Sequence, residues 1–279
     1  MKIDSHHHFW NYSAEAYGWI GEGMDVLKRS FGPDDLKPLI DSAGIDGVIS
    51  VQARTELKEN PFLCDYAKKN DIIKGVVGWV DLTKENAGTE IARFTEMPKA
   101  VGLREVLQGK DDDAYCLRKD FNRGISMLHD FGLVYDILIF HRHIPNAIKM
   151  VDQHPIQLFV LDHVAKPSVV SAVPDPVWAK NMAELAKREN VFCKVSGMVT
   201  EVAKGLDWNA DLLRPYFDVV LEAFGPDRLM FGSDWPVCLL QSEYQKWVTC
   251  VEEWTADLSE DEKADFWGGT AVRAYGLKG

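Results

Sequence analysis

The sequence predicts an α/β fold, a (β/α)8 barrel of the TIM type. Eight short apolar runs recur along the 279 residues, and a helical pattern follows each of them. Strands that alternate with helices indicate a parallel sheet, and strands that are apolar throughout indicate burial on both faces. A doubly wound open sheet usually carries a glycine-rich phosphate loop after its first strand, and this sequence has none there. Single barrels run to roughly 250 residues, so we expect one domain over residues 1–279.

The predicted elements follow one another in a regular order. The strands are KIDSHHHF near residue 3, DGVISVQA from 46, IKGVVGWVDL from 73, VGLREVL from 101, LVYDILIF from 133, IQLFVLDHV from 156, VFCKVSGM from 191 and DRLMFGSDW from 227. Amphipathic segments such as PDDLKPLIDSAG, NPFLCDYAKKN and PNAIKMVDQH lie between them and predict helices. A final helix begins at Ser259, where Glu262 completes a capping box.

Composition and charge exclude several classes of function. The formal net charge is -12, from 43 acidic and 31 basic residues, with no concentrated basic patch. Such a surface repels nucleic-acid backbones and anionic membranes. No apolar run reaches the roughly 18 residues that span a bilayer, and the first residues do not resemble a signal peptide. The five cysteines are odd in number and form no C-x-x-C pair, as in reduced thiols. We therefore expect a cytoplasmic protein.

Polar side chains follow the predicted strands at the end where barrel active sites lie. The first strand ends in three histidines; because side chains alternate along a strand, His6 and His8 share one face and His7 points away. Three histidines are also too few for an affinity tag, which usually carries about six. The other strand ends supply Gln52 and Arg54, Trp79 and Asp81, Arg104 and Glu105, His141 to His143, Asp162 and His163, Lys194 and Ser196, and Asp234 and Trp235.

These residues fall into ordered motifs. They are D-x-H-x-H-x-W from Asp4, G-L-R from Gly102, L-D-H-x-x-K-P from Leu161, C-K-V-S-G from Cys193 and F-G-S-D-W-P from Phe231. The set resembles the amidohydrolase superfamily, more closely the "amidohydrolase 2" branch that includes sugar-lactone hydrolases of the fuconolactonase and rhamnonolactonase types and pyrone-dicarboxylate lactonases. The resemblance covers nearly the whole chain and implies a distorted (β/α)8 barrel, amidohydrolase-like, and a lactonase that opens a carboxylic ester.

The metal question divides this superfamily. Its binuclear members use a carboxylated lysine on strand four, where this chain has Arg104 and Glu105, so a bridged two-metal site is not expected. A single divalent ion such as zinc fits His6, His8, Asp234 and either His143 or His163; we take His163 as the fourth ligand. By resemblance, however, the lactonase branch requires no metal, and a lactone is an activated ester that depends little on a Lewis acid. We expect no required cofactor.

The residues suggest a mechanism. The predicted catalytic residues are Asp234, His163, His6, His8 and Arg104. Ionised Asp234 takes a proton from water, which attacks the lactone carbonyl, while Arg104 and a histidine hydrogen-bond the developing oxyanion. The proton then passes from Asp234 to the departing ring oxygen.

The substrate is expected to be a small neutral molecule. The predicted substrate-binding residues are Gln52, Trp79, His143, Lys166 and Trp235, because a polyol ring combines hydroxyl hydrogen bonds with apolar ring contact. Few arginines lie near strand ends, which disfavours a dianionic pyrone. An L-fucono- or L-rhamnono-type lactone is therefore the leading substrate. A metal-dependent decarboxylase or other metallo-hydrolase, a pyrone-dicarboxylate-type lactonase and a non-catalytic ligand-binding barrel remain as alternatives.

Overall fold

The computed structural model describes residues 1–278 and contains an eight-stranded parallel sheet. The strands are β1 Ile3–His7, β2 Gly47–Val51, β3 Ile73–Gly78, β4 Ala100–Val106, β5 Val134–Leu138, β6 Phe159–Leu161, β7 Val191–Val195 and β8 Leu229–Phe231. Each strand pairs with the next in chain order. A parallel bridge from His7 to Trp235 and a 2.8 Å bond from Asp234 N–H to the His6 carbonyl join the last strand to the first. The predicted barrel is confirmed.

Helices surround the sheet. They are α1 Pro33–Ala43, α2 Glu59–Lys69, α3 Ala87–Thr95, α4 Lys119–Leu128, α5 Ile144–Asp152, α6 Pro176–Ala186, α7 Ala210–Phe224, α8 Tyr244–Trp254, α9 Glu260–Ala264 and α10 Thr270–Tyr275. The predicted capping box is present at α9, where Ser259 and Glu262 bond each other's backbone N–H. Within residues 1–278, no helix combines the length and apolar character needed to cross a membrane.

The barrel is irregular, in agreement with the distorted form. The registers of the β1–β2, β2–β3 and β3–β4 pairs each shift by a bulge or similar irregularity. All strands except β4 are also shorter than the predicted runs: β1 ends at His7, so His8 lies just beyond it, and β6 and β8 have only three residues each. The chain leaves β6 at Asp162 because the next residues adopt left-handed backbone conformations that cannot continue a strand.

The interior of the barrel changes character along its axis. At the end where the strands begin, Val134, Val160 and Met230 pack against the C-terminal helix α10. Two residues after Val134 and Val160 come Asp136, on β5, and Asp162, directly after β6; both are fully buried. The apolar layer thus closes one end of the barrel, and charged side chains begin directly above it, beneath the candidate site.

Candidate active site

The two histidines of the H-x-H motif present nitrogen lone pairs to the same point. His8 Nδ1 lies 2.8 Å from the Val51 carbonyl oxygen, which can only accept, so Nδ1 carries the proton and Nε2 is free. Arg104 Nη1, which can only donate, lies 3.2 Å from His6 Nε2, and His6 Nδ1 has two neighbours at 3.3 Å, the acceptor Asp162 Oδ1 and the donor Lys194 Nζ. We assign the Nδ1–H tautomer to His8 from its Val51 bond and to His6 from its Arg104 and Asp162 contacts. Their Nε2 atoms are 3.3 Å apart.

Asp234 lies among three imidazole rings. Its Oδ1 is 3.4 Å from His8 Nε2, 3.8 Å from His6 Nε2 and 3.9 Å from His163 Nε2. Burial alone would raise the pKa of Asp234, but the adjacent His163, His8 and His6 outweigh it and hold that pKa well below its usual range. Burial lowers the pKa of His163 to about 4 and that of His6 well below its usual range, against the opposing pull of nearby carboxylates. At neutral pH the site therefore combines an ionised carboxylate with these two neutral imidazoles.

His163 is carried by an unusual turn. His163, Val164, Ala165 and Lys166 have φ values of 55°, 47°, 59° and 49°, a left-handed run that ordinary residues rarely adopt. Trp178 Nε1 donates to the Val164 carbonyl at 3.0 Å and Lys166 N–H to the His163 carbonyl at 2.8 Å, which holds the turn. Gly197 fits beside the ring, because a Cβ there would lie 2.5 Å from His163 Nδ1.

A buried chain of charges lies beneath the histidines. Asp162 contacts Arg104 at 2.9 Å and Lys194 at 3.1 Å, and Lys194 also contacts Asp136 at 2.5 Å. Tyr275 of α10 donates its hydroxyl to Asp136 at 2.8 Å. The sequence placed Asp162 at the end of the sixth predicted strand without a role and did not identify Asp136; a polar residue inside an apolar strand run is the signal that marks such positions. These buried charged side chains fix the orientation of the His6 ring from the side of the apolar layer.

The donor set fits one divalent ion. Ligand atoms of His6, His163 and Asp234 all lie within 4.8 Å of one another, and the His6–His8 and His8–Asp234 separations are 3.3 and 3.4 Å. Ligands about 2.0–2.1 Å from a tetrahedral zinc are themselves about 3.3 Å apart, so the spacing suits such an ion. Arg104 Nη1 approaches the same His6 lone pair, which weakens this fit. β4, with the sequence AVGLREV, offers no lysine to bridge a second ion.

A cavity of about 380 Å³ opens above these groups. Its polar wall includes His8, Gln52, Arg54, Glu56, Arg104, Gln108, His163, Lys166 and Asp234, and its apolar wall includes Ala16, Trp19, Val106, Leu138 and Val237. Four of the five predicted catalytic residues line it, and the fifth, His6, is fully buried beside them. Of the predicted substrate-binding residues, Gln52 and Lys166 line the cavity.

The other three predicted substrate-binding residues do not line it. Trp79 donates its indole N–H to Glu105 at 3.0 Å, and His143 Nε2 contacts Asp113 at 2.7 Å, where it holds the loop after β4. Trp235 is 1% exposed and packs against two phenylalanine rings. The prediction placed these residues at the correct end of the barrel, but their side chains turn into the surrounding structure. The tryptophan that does line the cavity is Trp19, from the segment between β1 and α1.

Comparison with known proteins identifies the family of this chain. The L-fucono-1,5-lactonase of Burkholderia multivorans is 40% identical, covering 99% of this chain and 96% of that protein, and the L-fucono-1,5-lactonase of Burkholderia ambifaria is 34% identical, covering 99% and 95%. The crystal structure of an amidohydrolase from Burkholderia multivorans with bound zinc superposes with a TM-score of 0.95 at 40% identity over 100% of both chains. Residues 3–277 match the amidohydrolase family. The chain belongs to the amidohydrolase family.

Proposed function

We propose that this chain, acting as one barrel domain over residues 1–279, hydrolyses a sugar lactone to the aldonic acid. An L-fucono-1,5-lactone is the leading substrate, since both full-length relatives above carry that activity in their names. A more distant relative, 24% identical over 75% of this chain, is an L-rhamnono-gamma-lactonase of Scheffersomyces stipitis, which supports the broader class of deoxysugar lactones.

The observation that carries this proposal is the pairing of every cation on the cavity wall with an acid of the chain. Arg54 pairs with Glu56 at 2.7 Å, Lys166 with Glu201 at 3.2 Å and Arg104 with Asp162 at 2.9 Å. A dicarboxylate would need cations with no partner of their own. A neutral polyol ring needs donors and acceptors without net charge, which these pairs supply.

The geometry supports a mechanism in which Asp234 transfers one proton from water to the leaving ring oxygen. Ionised Asp234 takes a proton from a water held in the cavity, and that water forms a bond to the lactone carbonyl carbon. The Ser196 hydroxyl, 2.8 Å from His163 Nδ1, donates to that nitrogen, so that His163 Nε2–H hydrogen-bonds the oxyanion beside the positive charge of Arg104. Asp234 then gives the proton to the ring oxygen as the acyl C–O bond breaks. The aldonic acid product ionises and releases one proton to solution.

The metal dependence of this reaction is a separate prediction. His6, His8, His163 and Asp234 would hold a divalent ion, which would polarise the carbonyl as a Lewis acid when bound. Because a lactone is an activated ester and Arg104 already supplies positive charge, we expect dialysis against EDTA to leave most of the lactonase activity. Loss of activity that zinc or manganese alone restores would contradict this and favour a metal-dependent hydrolase.

A panel of substrates followed with a pH indicator tests the proposed function. Opening a lactone releases acid, so the indicator reports the rate of hydrolysis of each compound. We expect faster acid release from L-fucono-1,5-lactone and L-rhamnono-1,4-lactone than from a pyrone dicarboxylate, because the cavity disfavours the dianion. Turnover of the pyrone in preference to the sugar lactones would overturn the substrate assignment. No acid release with any lactone would overturn the reaction class.

A further inference from the structure

The segment between β1 and α1 brings one aromatic side chain to the cavity. Among residues 1–278, Trp19 is the only tryptophan, tyrosine or phenylalanine that lines it. Trp19 is 43% exposed, whereas Tyr17 and Ile20 beside it in sequence are 3% and 5% exposed. The two neighbours face the interior, and the Trp19 ring is left at the cavity wall.

The ring stands on a fixed support. It meets the buried Trp10 edge-on, with ring centroids 5.7 Å apart and planes at 90°. Trp10 is itself fixed by a pair of backbone bonds to Phe31 at 3.0 and 2.9 Å and by its indole N–H, which donates to the Arg29 carbonyl. In the same segment as Trp19, the Tyr17 ring lies against Arg54, whose guanidinium carbon is 5.3 Å from the Tyr17 ring centroid. This contact links the segment to the loop after β2. The Trp19 ring thus rests against a buried ring that is itself fixed.

We propose that Trp19 is a specificity-determining residue that binds the apolar face of the sugar-lactone ring. A pyranose-type lactone presents hydroxyls at its rim and C–H groups on its faces. The paired polar groups of the cavity hydrogen-bond the hydroxyls at the rim of the ring. The Trp19 indole face covers the C–H groups and removes them from water. This inference rests on the proposed function. It adds the residue that makes the cavity bind ring-shaped sugar lactones in preference to other esters.

Steady-state kinetics with L-fucono-1,5-lactone tests this role. Trp19→Ala should raise KM about tenfold, the size expected when one ring face of apolar contact is lost, with kcat within about twofold of the wild type. Trp19→Phe should recover most of the affinity because it keeps an aromatic face. Leu57→Ala is the matched control: Leu57 is also 43% exposed but does not line the cavity, so its KM should not change.

The outcomes separate this inference from the function beneath it. An active wild type with unchanged KM in Trp19→Ala, or a fall in kcat alone, would overturn the role of Trp19 and leave the lactonase standing. A wild type that opens no lactone would overturn both. If Trp19→Ala does not fold, Trp19→Leu keeps apolar bulk without an aromatic face, and a KM equal to that of Trp19→Phe would contradict ring recognition.

Discussion

Asp234 shares its surroundings with three imidazole rings, and their protonation decides what its carboxylate can do. Burial keeps His6 and His163 neutral at pH 7, and the carboxylate stays ionised. An ionised carboxylate beside neutral rings can accept a proton from water or share a cation with them. The same residues therefore suit both proton transfer from water and the binding of one divalent ion.

Glu59 gives the clearest pH dependence of stability at the level of a single residue. Burial raises its pKa to about 7 from the model-compound value of 4.5, even though it accepts N–H groups of Ala53 and Arg54. The unfolded chain therefore ionises Glu59 first, and the folded state loses stability as pH rises from about 4.5 to 7. Relative to Glu59→Gln, the wild type should lose roughly 3 kcal/mol between pH 4 and pH 8. Urea unfolding of both proteins at the two pH values measures this, and parallel pH curves would contradict it.

The residues that could be predicted share one property: they lie at the end of a strand or within three residues after it. That property brought His6, His8, His163 and Asp234 to the same end of the barrel. It does not determine the direction of a side chain after the strand has ended, and this is where Trp79, His143 and Trp235 differ from the prediction. Trp19 lies in the irregular segment between β1 and α1, where no strand or helix periodicity indicates which way a side chain points.

At the scale of elements, the left-handed turn from His163 to Lys166 aims two cavity residues at once. Such backbone is costly for Val164, whose β-branched side chain clashes in this region, so the surrounding structure must hold it. The Trp178 indole N–H is one such support. The sequence motif L-D-H-x-x-K-P marks the position of the turn. It does not indicate a left-handed backbone, because the turn contains no glycine.

Trp178→Phe tests this support. The variant keeps an aromatic ring but removes the donor to Val164, so we expect about 1–2 kcal/mol lower stability and about tenfold lower kcat from a displaced His163. Trp208→Phe is the control, since Trp208 makes an equivalent 2.7 Å bond to the Gln241 carbonyl outside the turn. It should lose similar stability and keep its kcat. Equal kcat losses in both variants would contradict the role of the turn.

For the whole molecule, α10 closes the barrel from the side opposite the cavity. Its Ala271, Ala274 and Tyr275 pack against the strand residues of the apolar layer, and the Tyr275 hydroxyl bonds Asp136. The regular alternation of strands and helices was enough to predict the barrel and its order. It could not predict this closure, because the sequence pattern of a short C-terminal helix is the same whether the helix covers the end of the barrel or lies beside it.

Tyr275→Phe measures how much this closure contributes. Asp136 is fully buried, so removal of one of its donors should lower stability by about 1–3 kcal/mol. Tyr135→Phe is the matched control: the Tyr135 hydroxyl is buried without a hydrogen-bond partner among residues 1–278, so its removal should be neutral or stabilising. Thermal unfolding of the two variants compares them directly. A Tyr275→Phe protein as stable as Tyr135→Phe would contradict a structural role for the hydroxyl.

Acid release from L-fucono-1,5-lactone by the wild type and Asp234→Asn, corrected for spontaneous hydrolysis, tests the central claim most directly. The substitution preserves size but removes the proton acceptor, so kcat should fall by about 10²–10⁴-fold while the melting temperature stays close to that of the wild type. An Asp234→Asn protein that keeps more than about a tenth of the wild-type kcat, a loss far smaller than a missing general base causes, would show that another group activates the water.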